Sequence, residues 1–474
     1  MMGAPGGRPG VRNGAGPFRH GEDNTMSHPR TLNRREFLKT SAAAGAGLAL
    51  GPVLARAWAG GSGAPPNVVF VFSDQHQFRA LGCYGESQVK TPGFDALARQ
   101  GARCAGISTS PLCVPYRASM MSGEYASHTG ILVNMSLKRR AAPYGQRPHK
   151  SVGATFKNAG YQTAYIGKHH LPLSPAALGF DYWALTASHH DYTQWNLSTS
   201  ARKRHTGKGF KTDGVTDVAI EYLRSHKDKP FCLFMSWGPP HSPFRAPARY
   251  DHYRDLKTAP NVPKGKYAKQ REGYYGLIEG IDDNFGRLMA ELDKLGVAEN
   301  TIVVYTSDHG EMMGAQGALK KRQPFTESSQ VPLIVRWPGH IRPGLVLEAP
   351  IGTPDLFPTL AGLAGIDVPA GLDGTDRSGW LGGKAQPTGE EALFTVLNDY
   401  RRPTPGPWRG VRTGRYNYAR TKDGPFVLFD LKTDPYEMHN LVKETPDLVK
   451  KFDDQTLAMM KKHHDDWPAP KGKA

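Results

Sequence analysis

Asn67-Val68-Val69-Phe70-Val71-Phe72-Ser73 runs directly into Asp74-Gln75, and this junction decides the fold class. An unbroken apolar run of strand length, without polar alternation, marks a strand covered on both faces, as in the sheets of α/β proteins. Downstream, Thr91-Pro92 opens a helix with a cap residue and a proline at its first position. Phe94, Leu97 and Ala98 share one face of it, and Gly101 stops it. Strand-like segments recur at Tyr161 to Ile166, Phe231 to Trp237, Thr301 to Thr306 and Val331 to Trp337. Between the second and third of these, Leu277, Ile278, Ile281, Phe285, Leu288, Met289, Leu292 and Leu295 repeat at the helical period. Strands alternating with helices predict an α/β fold: a large, mostly parallel sheet with helices on both faces.

The texture changes after Leu381, where Gly382-Gly383-Lys384-Ala385-Gln386-Pro387-Thr388-Gly389 reads as a linker. Beyond it, Ala392 to Leu397, Gly410 to Ala419 and Phe426 to Leu431 read as strands with short connections, and Glu444 to Lys462 as a closing helix. The expected organisation is a leader over 1–59, a catalytic domain over 60–384 and a smaller α+β subdomain over 385–474, built on an antiparallel sheet.

The leader is an export signal. Asn33-Arg34-Arg35-Glu36-Phe37-Leu38-Lys39 carries a twin-arginine motif, followed by a mildly apolar stretch from Ser41 to Leu54 and the small-x-small site Ala57-Trp58-Ala59. Arg56, just before that site, is tolerated by the twin-arginine route. The translocase of that route is thus an expected partner, the cargo crosses already folded, and the product is periplasmic or secreted. Residues 1–25 are rich in Gly, Pro and Arg and unlike the basic start of a signal, which makes Met26 the expected true start. No apolar run approaches the roughly 18 residues of a membrane span, so no transmembrane segment is expected in the mature chain.

The formal net charge is +17, and most of it lies beyond the leader. That surplus favours anionic substrates by steering, but no nucleic-acid motif accompanies it, and a generally basic exported protein accounts for it equally well. The four cysteines show neither a zinc spacing nor a dense disulfide framework.

Chemistry concentrates around Cys113-Val114-Pro115-Tyr116-Arg117, which leads into a helix-compatible Ala118 to Met121 and Ser122-Gly123. Alone, this reads as well as a buried structural cysteine in a turn, since a free thiol behaves as a small hydrophobe. Two strand ends change the balance: Asp74-Gln75 and Asp308-His309-Gly310-Glu311 bring hard and borderline metal ligands to the edge where open α/β sheets place their ligands.

Further segments extend the pattern: Leu81-Gly82-Cys83-Tyr84-Gly85, Gly167-Lys168-His169-His170-Leu171, Pro239-Pro240-His241-Ser242-Pro243, Asp355-Leu356-Phe357-Pro358-Thr359-Leu360, and Leu428 through Asp434-Pro435-Tyr436-Glu437. In this order they resemble a type I sulfatase of the alkaline phosphatase superfamily. The resemblance implies that a maturation enzyme oxidises Cys113 to formylglycine, which works as its hydrate. One hydroxyl attacks sulfur and expels the alcohol; collapse of the other to the aldehyde ejects sulfate. Asp74, Gln75, Asp308 and His309, with the modified Cys113, would hold one divalent cation. Many relatives carry a second Asp at the position of Gln75, and several an Asn at that of His309. Calcium is favoured, with magnesium and manganese open, because a nitrogen ligand is softer than the oxygen set calcium prefers.

The same resemblance gives Arg117 the task of anchoring the hydrate and neutralising the acids, aided by helix amides after Cys113. Lys168 would bind hydrate and sulfate, and His170 would take a proton from the hydrate. His241 and Lys321 would contact sulfate and protonate the leaving oxygen, with Lys320 the rival of Lys321. His76, Arg79 and Asn134 are further candidates near the metal. Ser188-His189-His190-Asp191 and a basic stretch of Arg202, Lys203, Arg204, His205, Lys208 and Lys211 would recognise a sulfated sugar, or form a solvated insert. Carbohydrate and aryl sulfates both remain open as substrate. Two other readings stand beside this one: a phosphonate monoester or phosphodiester hydrolase, and an inactive sulfated-glycan-binding protein with unmodified Cys113.

Overall fold

Strand β1 (Asn67–Asp74) is buried at all eight positions. Its side chains alternate between two cores: Val68, Phe70 and Phe72 enter one, Val69 and Val71 the other. In this computed structural model the described residues are 64–134, 150–186, 192–398 and 406–467. Met26, the twin-arginine motif Asn33 to Lys39, the cleavage site Ala57-Trp58-Ala59 and the Ser188-His189-His190-Asp191 segment lie outside them.

Nine further strands join β1: β2 (Ala102–Ile107), β3 (Gln162–Gly167), β4 (Tyr182–Thr186), β5 (Gln194–Thr199), β6 (Arg204–Lys208), β7 (Phe231–Pro240), β8 (Thr301–Ser307), β9 (Gln330–Arg336) and β10 (Leu345–Gly352). Their order is β10-β2-β9-β8-β1-β7-β3-β4-β5-β6. The centre is parallel: β1 pairs with β7 and β8, and β3 with β7 and β4. Strand β9, predicted as one more member, runs antiparallel between β8 and β2, and β4-β5-β6 is an antiparallel meander.

Helices α1 (Pro92–Gln100), α5 (Lys211–His226) and α6 (Ala268–Lys294) pack into the core of Val69 and Val71. On the opposite face, α2 (Cys113–Ser122), α4 (Val152–Asn158) and α7 (Leu356–Leu363) pack with Phe70 and Phe72, and the one-turn α3 (Ala126–Thr129) follows α2. The expected cap of α1 is corrected. Thr91 makes no cap bond to its own helix, and its hydroxyl accepts from Gly82 N–H at 2.9 Å. The first amides of α1, on Gly93 and Phe94, donate instead to the Asp282 carboxylate of α6 at 2.9 and 2.8 Å.

The C-terminal sheet has four antiparallel strands in chain order, β11 (Ala392–Leu397), β12 (Trp408–Thr413), β13 (Tyr416–Thr421) and β14 (Gly424–Asp430). The single strand expected over Gly410 to Ala419 is therefore two. Thr413 Oγ1 accepts the amides of Arg415 and Tyr416 at 3.2 and 2.8 Å, a hydroxyl-stabilised turn that reverses the chain. One face of this sheet packs on Val449 and Phe452 of α8 (Pro446–Lys462). The other carries Trp408, Val427 and Phe429 onto Leu112 and Phe325, so the small sheet backs the residue before Cys113.

The basic stretch lies at the outer edge of the sheet. Arg204 to Lys208 form β6, the outermost strand, where Arg204, Thr206 and Lys208 are exposed; Lys211 is a buried residue in the first turn of α5. Cationic side chains on an edge strand oppose pairing with a second sheet, which explains them without a ligand.

Candidate active site

Four neighbouring parallel strands end together. Ser73 is in register with Ser307, and Gly167 with Ser236. The next residues along β1, β8 and β3 are Asp74, Asp308 and Lys168, and His241 follows β7 directly. Gln75 leaves β1 in the left-handed region, at φ 69°, and its N–H donates to Asp308 Oδ1 at 3.1 Å. This sparsely used conformation for a non-glycine residue closes the gap between the two strand ends.

Arg117, on α2 and fully buried, ties these ends together. Nη2 donates to Asp74 Oδ2 and Asp308 Oδ2, both at 3.0 Å, and Nε to Asp308 Oδ2 at 3.1 Å. Nη1 donates to the Lys168 carbonyl and to Ser236 Oγ, at 2.8 and 2.9 Å. All five guanidinium hydrogens are thereby matched to protein acceptors. Arg117 thus holds the carboxylates in place.

Lys168 Nζ lies 2.5 Å from Asp74 Oδ2, so both cations use the same oxygen and leave Oδ1 facing the cluster. Burial pushes Asp74 up, but Lys168, His241, Arg117 and His309 outweigh it and hold the carboxylate well below its usual range. Asp308 has no lysine partner, and burial with the Asp74 charge pushes it up to about 7.

Asp74, Cys113, Asp308 and His309, all buried, offer ligand atoms within 4.8 Å of one another. His309 Nδ1–H donates to the Gly310 carbonyl at 3.0 Å, which leaves the lone pair on Nε2. That atom sits 3.2 Å from Cys113 Sγ, 3.4 Å from Asp308 Oδ1 and 4.0 Å from Asp74 Oδ1. Burial disfavours a charged imidazole here, and Asp308 and the thiol push its pKa upward. Two carboxylates, an imidazole lone pair and a sulfur on converging vectors fit a divalent cation. Arg117 and Lys168 already balance the two carboxylates, so a cation would leave the pocket positive and suited to an anionic ester.

Gln75, expected as a ligand, is held through its side-chain amide. Lys321 Nζ donates to Oε1 and Nε2 donates to Glu311 Oε2, each at 2.5 Å. Sequence reasoning gave Glu311 no separate task, although it closes the Asp308-His309-Gly310-Glu311 run. It is fully buried, burial raises its pKa, and it also accepts the amides of Met313 and Lys320 at 3.0 and 2.5 Å. Lys321 is buried and reaches the site, whereas Lys320 is exposed.

His241 Nε2 lies 4.0 Å from Asp74 Oδ1, and its Nδ1–H donates to the Ser242 carbonyl at 2.7 Å. Burial pulls its pKa down to about 3, against Asp74, so the imidazole is neutral with its lone pair turned inward. Tyr192, missed in the sequence, holds this turn by donating to the His241 carbonyl at 2.7 Å. His170 follows β3, partly buried and at φ 55°.

Three further candidates act elsewhere. His76 turns into the core, with Nδ1 2.7 Å from Tyr305 OH and Nε2 3.4 Å from the Ala80 carbonyl. Arg79 donates to the Pro435 carbonyl at 2.5 Å and stacks over Tyr436, linking the loop after β1 to the loop after β14. Asn134 accepts the Val114 amide at 3.0 Å. With Pro115 lacking an N–H and the Tyr116 amide donating to Leu112, the helix amides expected to serve the anion are already in use.

All four thiols are free. Burial pushes Cys83 and Cys104 up to about 12 and Cys232 well above the usual range. Cys113 alone is lowered: Lys321, His309 and Lys168 overcome its burial and the Asp74 charge.

The Sulfatase family model matches residues 66–366, and the model for the C-terminal part of N-sulphoglucosamine sulphohydrolase matches 314–462. A twin-arginine translocation signal matches residues 31–51. An ulvan-active sulfatase of Formosa agariphila is 36% identical over 80% of this chain and 77% of its own length. An endo-4-O-sulfatase of Bacteroides thetaiotaomicron is 28% identical over 85% of this chain and 93% of its own. A solved structure concerned with the metabolism of multiple glycosaminoglycans by Bacteroides thetaiotaomicron superposes with a TM-score of 0.77 at 27% identity, covering 85% of this chain and 97% of the other.

Proposed function

This chain belongs to the sulfatase family, with the alkaline-phosphatase-like fold and an export signal, and on that premise we propose that it removes sulfate esters from carbohydrates at Cys113. The observation that carries the reading is the contact of Cys113 Sγ with His309 Nε2 at 3.2 Å, inside a cluster that lowers this thiol alone among four. The carbohydrate class is supported by the ulvan-active relative and by the glycosaminoglycan-related structure.

Asp74, Asp308, His309 and the Cys113 position would hold the cation, with Gln75 Oε1 at the rim; calcium is our choice. When bound, the cation supplies polarisation of a sulfate oxygen and a lowered pKa for the hydroxyl that formylglycine brings to position 113. Arg117 and Lys168 keep Asp74 ionised, and Arg117 orients both carboxylates. Lys321 is held by Gln75 beside the cluster, where its charge meets the ester's anion. His241 presents a neutral lone pair; an anionic ester beside it raises its proton affinity, so it can take up the proton the attacking hydroxyl loses and pass it to the leaving oxygen. His170 remains the proposed acceptor of the proton released as sulfate departs.

Mass spectrometry of the Cys113 peptide from a host with the maturation enzyme should show loss of the thiol in favour of the aldehyde. An unmodified thiol throughout would count against hydrolysis and for a sulfated-glycan-binding role. Steady-state rates on paired aryl sulfate and aryl phosphonate substrates should favour the sulfate; a large preference for phosphonate would overturn the choice of ester.

A further inference from the structure

A second group of metal-ligating side chains lies outside the Cys113 cluster. His128 on α3, Asp373 and His463 at the end of α8 offer ligand atoms within 4.8 Å of one another. His128 Nδ1 is 2.9 and 2.8 Å from the two Asp373 oxygens, and His463 Nδ1 is 3.5 Å from Asp373 Oδ1. The His463 side chain is only 6% exposed, and its Nδ1 faces that carboxylate. Zinc bonds of about 2.0–2.1 Å in tetrahedral array set ligand atoms roughly 3.3 Å apart, within the observed spread.

From this we infer that His128, Asp373 and His463 form a structural site for a zinc-type divalent ion. Two imidazoles with one carboxylate make a borderline set that favours zinc over calcium or magnesium, which separates it chemically from the Cys113 cluster. The supporting shell is present. Tyr125 N–H donates to Asp373 Oδ2 at 2.7 Å, and the rings of Tyr125 and Phe394 lie 4.4 and 5.8 Å from that of His463. The fourth position falls to water or to His464, whose ring is 5.8 Å from that of His128.

The site joins elements of different parts of the chain. Asp373 and Gly374 donate their amides to the Gly123 carbonyl, each at 3.0 Å, and Gly123 ends the helix that begins at Cys113. His463 terminates the helix that backs the small sheet. A bound ion therefore clamps the subdomain helix to the far end of the Cys113 helix.

The test uses the full chain, stripped with a chelator and titrated with zinc, with bound metal counted by equilibrium dialysis and atomic mass spectrometry. At zinc concentrations that saturate the wild type, His128→Gln and His463→Gln should each bind one equivalent fewer. Part of the zinc-induced rise in the heat-unfolding midpoint should be lost in both, the remainder belonging to the Cys113 cluster. Asp308→Asn, altered only in the Cys113 cluster, should keep the part of the rise that the histidine variants lose. His128 is 27% exposed in its side chain, so His128→Gln is expected to fold, and circular dichroism verifies it. Unchanged zinc binding and an unchanged rise in both histidine variants would overturn the site and leave a plain hydrogen-bonded triad. So would loss of the rise in Asp308→Asn.

Discussion

Arg117 and Arg409 are both fully buried guanidinium groups, one on the Cys113 helix and one in the C-terminal sheet. Arg409 meets both Asp465 oxygens, Asn398 Oδ1 at 2.6 Å, and the Leu397, Trp408 and Asp466 carbonyls. Its carboxylate faces the guanidinium with both oxygens. Arg117 engages one oxygen of each of two carboxylates, and the other oxygens turn toward a thiol and an imidazole lone pair. Burial of charge is common to both regions, so it does not mark a site. What marks one is ligand capacity left over after the structural bonds are made.

The largest expected effect is at Cys113. Cys113→Ala should lower kcat by at least about 10⁴-fold, as loss of a nucleophile does, while the urea midpoint stays near that of the wild type. Substantial remaining turnover would remove Cys113 from the chemistry. Next, Arg117→Met and Arg409→Met should each destabilise by about 3–5 kcal/mol, the cost of leaving a buried partner charge alone. They should differ in activity. Per folded molecule, Arg409→Met keeps the wild-type kcat/KM and Arg117→Met loses it; equal losses would erase the distinction between the two arginines.

The last effect is confined to acid pH and concerns His76, a neutral group closed into the core. Burial lowers its pKa from 6.5 to about 3. Between those values the unfolded chain binds a proton that the folded chain does not, so this group makes stability fall as pH drops from 6.5 toward 3, with no contribution above 6.5. His76→Phe should flatten that limb in urea midpoints measured across the range. An unchanged acid limb would mean that other groups, His241 among them, account for it.

The strand–Asp junctions were legible because an apolar run ending in a polar pair is local in sequence. The Asp74, Asp308 and His309 cluster follows such junctions, whereas Cys113 and Lys321 were found through the resemblance carried by the Cys-x-Pro-x-Arg segment and the later landmarks. The two-strand form of 408–421 was not, because a single Thr hydroxyl, rather than a Pro-Gly or Asn-Gly signal, makes the turn. The α1 cap was misplaced for a related reason: Asp282, which accepts its amides, is 188 residues from Phe94.

Period and local motifs carry the α/β class, the export route and which residue types gather at the ends of the strands, and the ordered segments around Cys113 carry the resemblance to the family. Only the tertiary structure decided how those residues spend their hydrogen bonds. It directed Arg117 wholly to protein acceptors, paired Gln75 with Glu311 and Lys321, and drew His128, Asp373 and His463 together from distant segments. Donors and acceptors are counted by neighbours in space, and a chain read in order does not contain that count.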